Sequence, residues 1–141
     1  MNSIKEHMST NIATVSSNQT IQEAAMLMHE YNVGSIPVVD NGQLKGIITD
    51  RDITTRSTAQ GHSNDTPVSQ VMSANIVSGN TLMSTEEACE LMAANQIRRL
   101  PIVENNELIG IVALGDLATN HLSDEAAGQA LSNISEPTKT I

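Results

Sequence analysis

Residues 4–55 written over residues 68–119 align without a gap, so the chain is one unit used twice. Met8 and Ser9 fall on Met72 and Ser73, Asn11 and Ile12 on Asn75 and Ile76, Glu23 and Ala24 on Glu87 and Ala88. Leu27 and Met28 fall on Leu91 and Met92, Pro37 on Pro101, Asn41 on Asn105. Gly46 and Ile47 meet Gly110 and Ile111, and Asp52 meets Asp116. Such a duplication restricts the fold to two copies of one small unit. Each copy is too short to cover its own sheet, so the two are expected to bury their bare sheet faces against each other about a pseudo-two-fold axis.

Each copy can be read locally. Thr20 with Glu23, and Ser84 with Glu87, are S/T-x-x-E capping boxes that announce helix starts. Apolar residues then recur at helical spacing: Ile21, Ala24, Ala25 and Met28 in the first copy, Ala88, Leu91 and Met92 in the second. The helices are expected to end near Tyr31–Asn32 and Asn95–Gln96. Two β-branched runs around an Asn-containing turn follow, which predicts a hairpin in each copy. Pro37 and Pro101 fall near strand starts, where a missing N–H is tolerable. A second helix begins at Asp50 or Gly115, and a short strand near Ala13–Val15, or Ile76–Val77, opens each copy. A helical turn stands in front of each, with Thr66 as N-cap and Pro67 at the first helical position of the second. The expected fold is therefore α/β, two βαββα units packed sheet to sheet. Residues 1–57 form the first, the polar stretch 58–65 a linker, and 66–119 the second. In residues 120–141 the spacing of Ala127, Ala130, Leu131 and Ile134 predicts a C-terminal helix, capped by Ser123 and followed by a flexible tail.

Composition narrows the function. The chain of 141 residues carries a formal charge of −9, which opposes contact with nucleic acid or an anionic membrane. There is no Trp or Phe and a single Tyr31, so the core must be aliphatic. One cysteine, Cys89, excludes an internal disulfide, and no CxxC pair occurs. The opening residues are polar, and no apolar run approaches the ~18 residues of a membrane span, so a cytoplasmic location is expected.

The segment from Gly46 to Asp52 reads GIITDRD, and its second copy, Gly110 to Asp116, reads GIVALGD. Both span a strand end and a helix start. A glycine there admits a close neighbour, and a hydroxyl with a carboxylate three residues on can meet the two hydroxyls of a ribose. The same Thr49 and Asp52 are equally an ordinary capping box with no ligand. All four arginines stand near these loops: Arg51, Arg56, Arg98 and Arg99. The adjacent Arg98 and Arg99, at a strand entrance, can grip a phosphate, or the arginines can pair with the many carboxylates. His7, His29, His62 and His121 lack ligand spacing, which gives no metal site. Cys89 reads as a buried small residue, and the methionines at 26, 28, 83 and 92 as core or interface filler. No nucleophile–base motif is present, so no catalytic residues are assigned.

The stretches NVGSIPVVD (32–40) with GIITDRD, and QIRRLPIVE (96–104) with GIVALGD, resemble the tandem cystathionine β-synthase (CBS) domain pair over residues 4–119. The resemblance implies a pseudo-symmetric pair that often dimerises, and that binds AMP, ADP, ATP or S-adenosylmethionine as a regulatory ligand in clefts between units. It implies no required cofactor and a downstream protein partner. One implied cleft uses Thr49 and Asp52 on ribose, Ser35 at the phosphate position, and Ile76, Val77 and Ile97 around the base. The other uses Asp116 and Arg99, with Ala13, Val33 and Gly34 around the base; Arg51 and Arg98 are further phosphate contacts. Ala113 lacks the threonine hydroxyl and Ser35 is not basic, so the two sites are expected to differ in affinity. Losing the threonine partner costs about 0.5–1.5 kcal/mol. The leading expectation is a non-catalytic adenine-nucleotide sensor acting as a homodimer. The alternative is an oligomerisation or protein-interaction module without a physiological nucleotide.

Overall fold

The computed structural model describes residues 3–119. Helix α1 (Ile21–Tyr31) leads to strands β1 (Ser35–Asp40) and β2 (Gln43–Thr49) and the short α2 (Asp50–Asp52). The second copy supplies α3 (Thr85–Asn95), β3 (Arg99–Glu104), β4 (Glu107–Ala113) and α4 (Leu114–Thr119). Both expected capping boxes are made. Thr20 Oγ1 accepts from the Glu23 N–H at 3.1 Å while Glu23 Oε1 accepts from the Thr20 N–H at 3.2 Å. Ser84 and Glu87 repeat this at 3.1 and 3.2 Å. The helices end where expected, on left-handed Asn32 and Gln96, each with φ 54°. The next residue then donates back into the last turn, Val33 N–H to Met28 O and Ile97 N–H to Met92 O, both at 3.0 Å. Along α1 the buried positions are Ile21, Ala24 and Met28; Ala25 is exposed, at the margin of the apolar stripe.

Each hairpin turns on two residues of positive φ: Asn41 and Gly42, or Asn105 and Asn106. That is the backbone of a two-residue turn matched to strand twist, and Asn tolerates it because its short amide bonds locally. β1 and β2 pair antiparallel from Ser35↔Thr49 to Asp40↔Gln43, with a bulge between Val38 and Val39. Pro37 costs no ladder bond. Its partner Ile47 turns its own N–H and carbonyl outward, exchanging two bonds of 2.9 Å with Ser73.

The opening strands shrink to single bridges. Val15 bonds Pro37 O at 3.1 Å and receives the Val39 N–H at 2.8 Å. In the second copy the residue doing this is Gly79, at 2.8 Å to Pro101 O and 2.9 Å from the Val103 N–H, and not Ile76 or Val77. Gly79 is the repeat equivalent of Val15, but it lacks the β-branched side chain that marks a strand. The turn before the second copy, Val68–Gln70, is 3-10 and is capped by Pro67; the Thr66 hydroxyl instead donates to Ser63 O at 2.7 Å.

The chain forms two compact units. One holds residues 12–76 and 106–108; the other holds, of the described residues, 3–11, 77–105 and 109–119. Each unit therefore takes its leading turn from the opposite repeat. In the first, Val68 and Val71 join Val15, Ile21, Ala24, Met28, Ile36, Val38 and Ile48 in one core. In the second, Ile4 is fully buried with Ala88, Cys89, Met92, Leu100, Ile102, Val112, Leu114 and Leu117. Burying one such isoleucine contributes ~2–3 kcal/mol, enough to fasten a single helical turn. The polar stretch 58–65 starts with a 3-10 turn, Thr58–Gln60, and stays with the first unit. The C-terminal helix expected over Ser123–Ile134 lies outside the described residues.

The repeated glycines serve this docking. A Cβ on Gly46 would stand 2.7 Å from the Ser73 carbonyl oxygen and 2.8 Å from Met72 Sδ. A Cβ on Gly110 would stand 2.6 Å from Met8 Sδ. The close neighbour that each glycine admits is the chain itself. Gly46→Ala should cost about 2–3 kcal/mol in urea unfolding, because a backbone carbonyl must move. Gly110→Ala should cost less, about 1–2 kcal/mol, because a flexible methionine can yield. Equal losses would count against this seating.

Asp40 pins the loop before α1: its carboxylate accepts from the Ser17 hydroxyl at 2.7 Å and the Ser17 N–H at 3.0 Å. These bonds, the hydroxyl foremost, hold its pKa below the usual aspartate value. The folded value being the lower, the stabilisation is present above the unfolded pKa and is lost as pH falls through the folded one. The stability gap between wild type and Ser17→Ala, from urea midpoints, should therefore narrow as pH drops through that window.

Candidate functional site

The strand-to-helix junction of the first repeat brings three of the expected residues together. Ser35 opens β1 and is the register partner of Thr49, the last residue of β2. The Asp50 N–H donates to Gly34 O at 2.9 Å, which closes the junction. Thr49 Oγ1 accepts from the Asp52 N–H at 3.0 Å, and Asp52 Oδ2 accepts from the Thr49 N–H at 3.0 Å. The T-x-x-D segment is thus a complete capping box. This fixes both side chains without exhausting them. The Thr49 hydroxyl still has its proton to donate, and Asp52 Oδ1 takes no hydrogen bond from the protein among the described residues.

The helix that follows is irregular for a local reason. Ile53, Thr54 and Thr55 are successive β-branched residues, and the two threonine hydroxyls donate to Asp50 O at 3.1 Å and Arg51 O at 2.8 Å. Such back-bonding competes for the helix carbonyls, and the ladder widens into a π turn over Ile53–Ser57. The turn carries Arg56, whose Nε lies 3.9 Å from Asp52 Oδ1. Its Nη1 donates to Val71 O and Met72 O, both at 3.3 Å. Of the two roles open to the arginines, Arg56 lies beside a carboxylate, and its Nη1 is occupied with carbonyls. Arg51 is exposed, and its backbone N–H donates to Asp50 Oδ1 at 2.8 Å.

The remaining candidates divide by unit. Ala13, Val33, Gly34 and Ile76 share the unit of Ser35, Thr49 and Asp52. Val77, Ile97, Arg98, Arg99 and Asp116 belong to the other. There the junction repeats its backbone closure, the Leu114 N–H donating to Arg98 O at 2.8 Å. Arg99, half-buried, opens β3 where Ser35 opens β1, and Ala113 ends β4 without a hydroxyl. Asp116 stands exposed in the first turn of α4.

Among the described residues no group of three His, Cys, Asp or Glu side chains is placed to hold a metal ion. None of their helices is long and apolar enough to cross a membrane. Cys89 is fully buried in the second core, and Met28 and Met92 are core residues, whereas Met26 is exposed.

A duplicated α/β chain with a strand-to-helix junction in each copy defines a tandem-repeat protein with one candidate site per repeat. The CBS-domain family profile matches it twice, over residues 4–58 and 68–122. The chain belongs to the CBS domain family, as a tandem pair. The CBS domain-containing protein YhcV of Bacillus subtilis is 64% identical over 135 residues, 96% of each chain. Among solved structures, a CBS-domain containing protein of Agrobacterium tumefaciens is 31% identical, with TM-score 0.70 over 81% of this chain and 92% of that one. The CBS domain pair of protein MJ0100 was solved in complex with 5′-methylthioadenosine and S-adenosyl-L-methionine. It is 27% identical, with TM-score 0.75, over 89% of this chain and 99% of that one.

Burial raises the pKa of the Cys89 thiol, and nearby Glu86 and Glu90 add to the effect. The native protein should therefore react with a disulfide reagent at pH 8 far more slowly than the same protein in urea. Fast labelling of the folded form would contradict the burial.

Proposed function

We propose that this CBS pair is a non-catalytic regulatory module that binds an adenosine-containing ligand, AMP, ADP, ATP or S-adenosylmethionine. One observation carries the reading. Thr49 and Asp52 hold each other in place, yet a hydroxyl proton and a carboxylate oxygen remain for the two hydroxyls of a ribose. The MJ0100 complex with adenosine-containing molecules supports the ligand class. Ser35, opposite Thr49, is the polar group at the phosphate position of the first site. The second site keeps Asp116 and gains Arg99 but lacks the hydroxyl, so the first binds the ribose more strongly. The proposal includes a homodimer and a downstream protein partner as the receiver of the signal.

The completeness of the capping box favours a second reading, in which Thr49 and Asp52 serve helix α2 alone and the chain is an interaction module. Calorimetry separates the two, with AMP, ATP and S-adenosylmethionine titrated into wild type, Asp52→Asn and Asp116→Ala. Asn keeps an oxygen for the cap and removes the charge, so the helix survives while the ribose contact weakens. The sensor reading expects saturable heat for at least one ligand. It also expects Asp52→Asn to weaken binding by roughly 10- to 100-fold, the worth of a charged hydrogen bond. No heat from any of the three at high protein concentration would leave the interaction module.

A further inference from the structure

Arg56 touches both the Asp52 carboxylate and the segment that docks on β2. Its Nη1 bridges the carbonyls of Val71 and Met72, which follow the turn Val68–Gln70. The amides of Val71 and Met72 both bond Val68 O, at 3.0 and 2.9 Å, so their own carbonyls end a helical turn and need outside donors. The same residues seat the segment: Met72 lies over Gly46, and Ser73 exchanges two bonds with Ile47. Three residues further on, at Ile76, the chain leaves this unit.

The link to Asp52 is of a different strength. At 3.9 Å, with the arginine side chain 54% exposed and the aspartate 17%, it is a weak ion pair that a ligand can displace. Asp52 Oδ2 is engaged by the Thr49 N–H. The oxygen left for a ribose hydroxyl is Oδ1, the one that faces Arg56. A bound hydroxyl and the guanidinium therefore meet at one atom. The second repeat has Asn120 at the matching position, so only the first carries a cation there.

We propose that Arg56 is a positioning residue that couples occupancy of Asp52 to the hold on Val71–Ser73. A hydroxyl arriving at Oδ1 displaces the guanidinium from the carboxylate, and the grip on the two carbonyls changes with it. This rests on the ligand reading above and adds the route by which binding is transmitted. The route runs from helix α2 through one side chain to the stretch that leads out of the unit.

Amide hydrogen exchange tests it in two arms. In the first, without ligand, exchange at Val71, Met72 and Ser73 is compared in wild type, Asp52→Asn, Arg56→Ala and the double variant. Amides of α1 serve as the reference for global opening. Asp52→Asn should change exchange at these three amides by about threefold or more, and should add nothing once Arg56 is Ala. An effect of equal size in both backgrounds, or none in wild type, overturns the coupling. In the second arm AMP is the probe. Binding should shift exchange at the same amides in wild type, while Arg56→Ala still gives calorimetric heat but no shift there. An undiminished shift in Arg56→Ala overturns the proposal. Absence of heat with an intact variant cycle removes the AMP reading and leaves the Asp52–Arg56–Val71 coupling standing.

Discussion

The structure depends on a bare stretch of strand. Gly46 on β2 and Gly110 on β4 present backbone with no side chain, and a methionine–serine pair lies against each. Because the pair that docks on β2 comes from the start of the second repeat, and the pair on β4 from the start of the first, neither core closes on its own repeat. Val68 and Val71 complete one core and Ile4 completes the other. A methyl group on Gly46 would push the Ser73 carbonyl and its segment away from the strand, and one on Gly110 would force the Met8 side chain aside. For a chain without Phe or Trp, whose cores rely on many small aliphatic contacts, that closeness is a large part of what stabilises each unit.

One local device appears three times with three consequences. Thr20 with Glu23 and Ser84 with Glu87 start long helices that present an apolar stripe to a core. Thr49 with Asp52 starts a helix that loses its regular ladder within a turn, as threonine hydroxyls compete for the carbonyls. The third box caps little helix and fixes two polar side chains at the end of a strand. Local chemistry that is structural elsewhere in the chain becomes available there for recognition. In the second repeat Ala113 removes half of the device, and the two junctions cannot be chemically equivalent.

Much of this was legible in the residues. Capping boxes, helix ends and both hairpins follow from contacts within a few residues, and short-range physics determines them in any context. The two-copy plan was legible from the repeat itself, and the burial of Cys89 from a small apolar residue type in mid-helix, although the core that buries it is tertiary. The opening strands were harder. Gly79 takes the place of Val15 through its backbone alone, and a residue without a side chain gives no periodic signal. The glycines of the two junctions were readable as sites of close approach, but not what approaches. The single available sign was that Met-Ser and Gly are retained together in both copies.

The sequence by itself determined the duplicated α/β plan, the strand-to-helix junctions and the candidate pair Thr49 and Asp52, since each follows from residue type and local spacing. Only the tertiary structure decided that each leading turn belongs to the opposite repeat's core, and that Arg56 spends its donors on Val71 and Met72. Those are contacts between residues far apart in the chain. Their partners are chosen by which surfaces fit without a side chain in the way, and no local pattern encodes that choice.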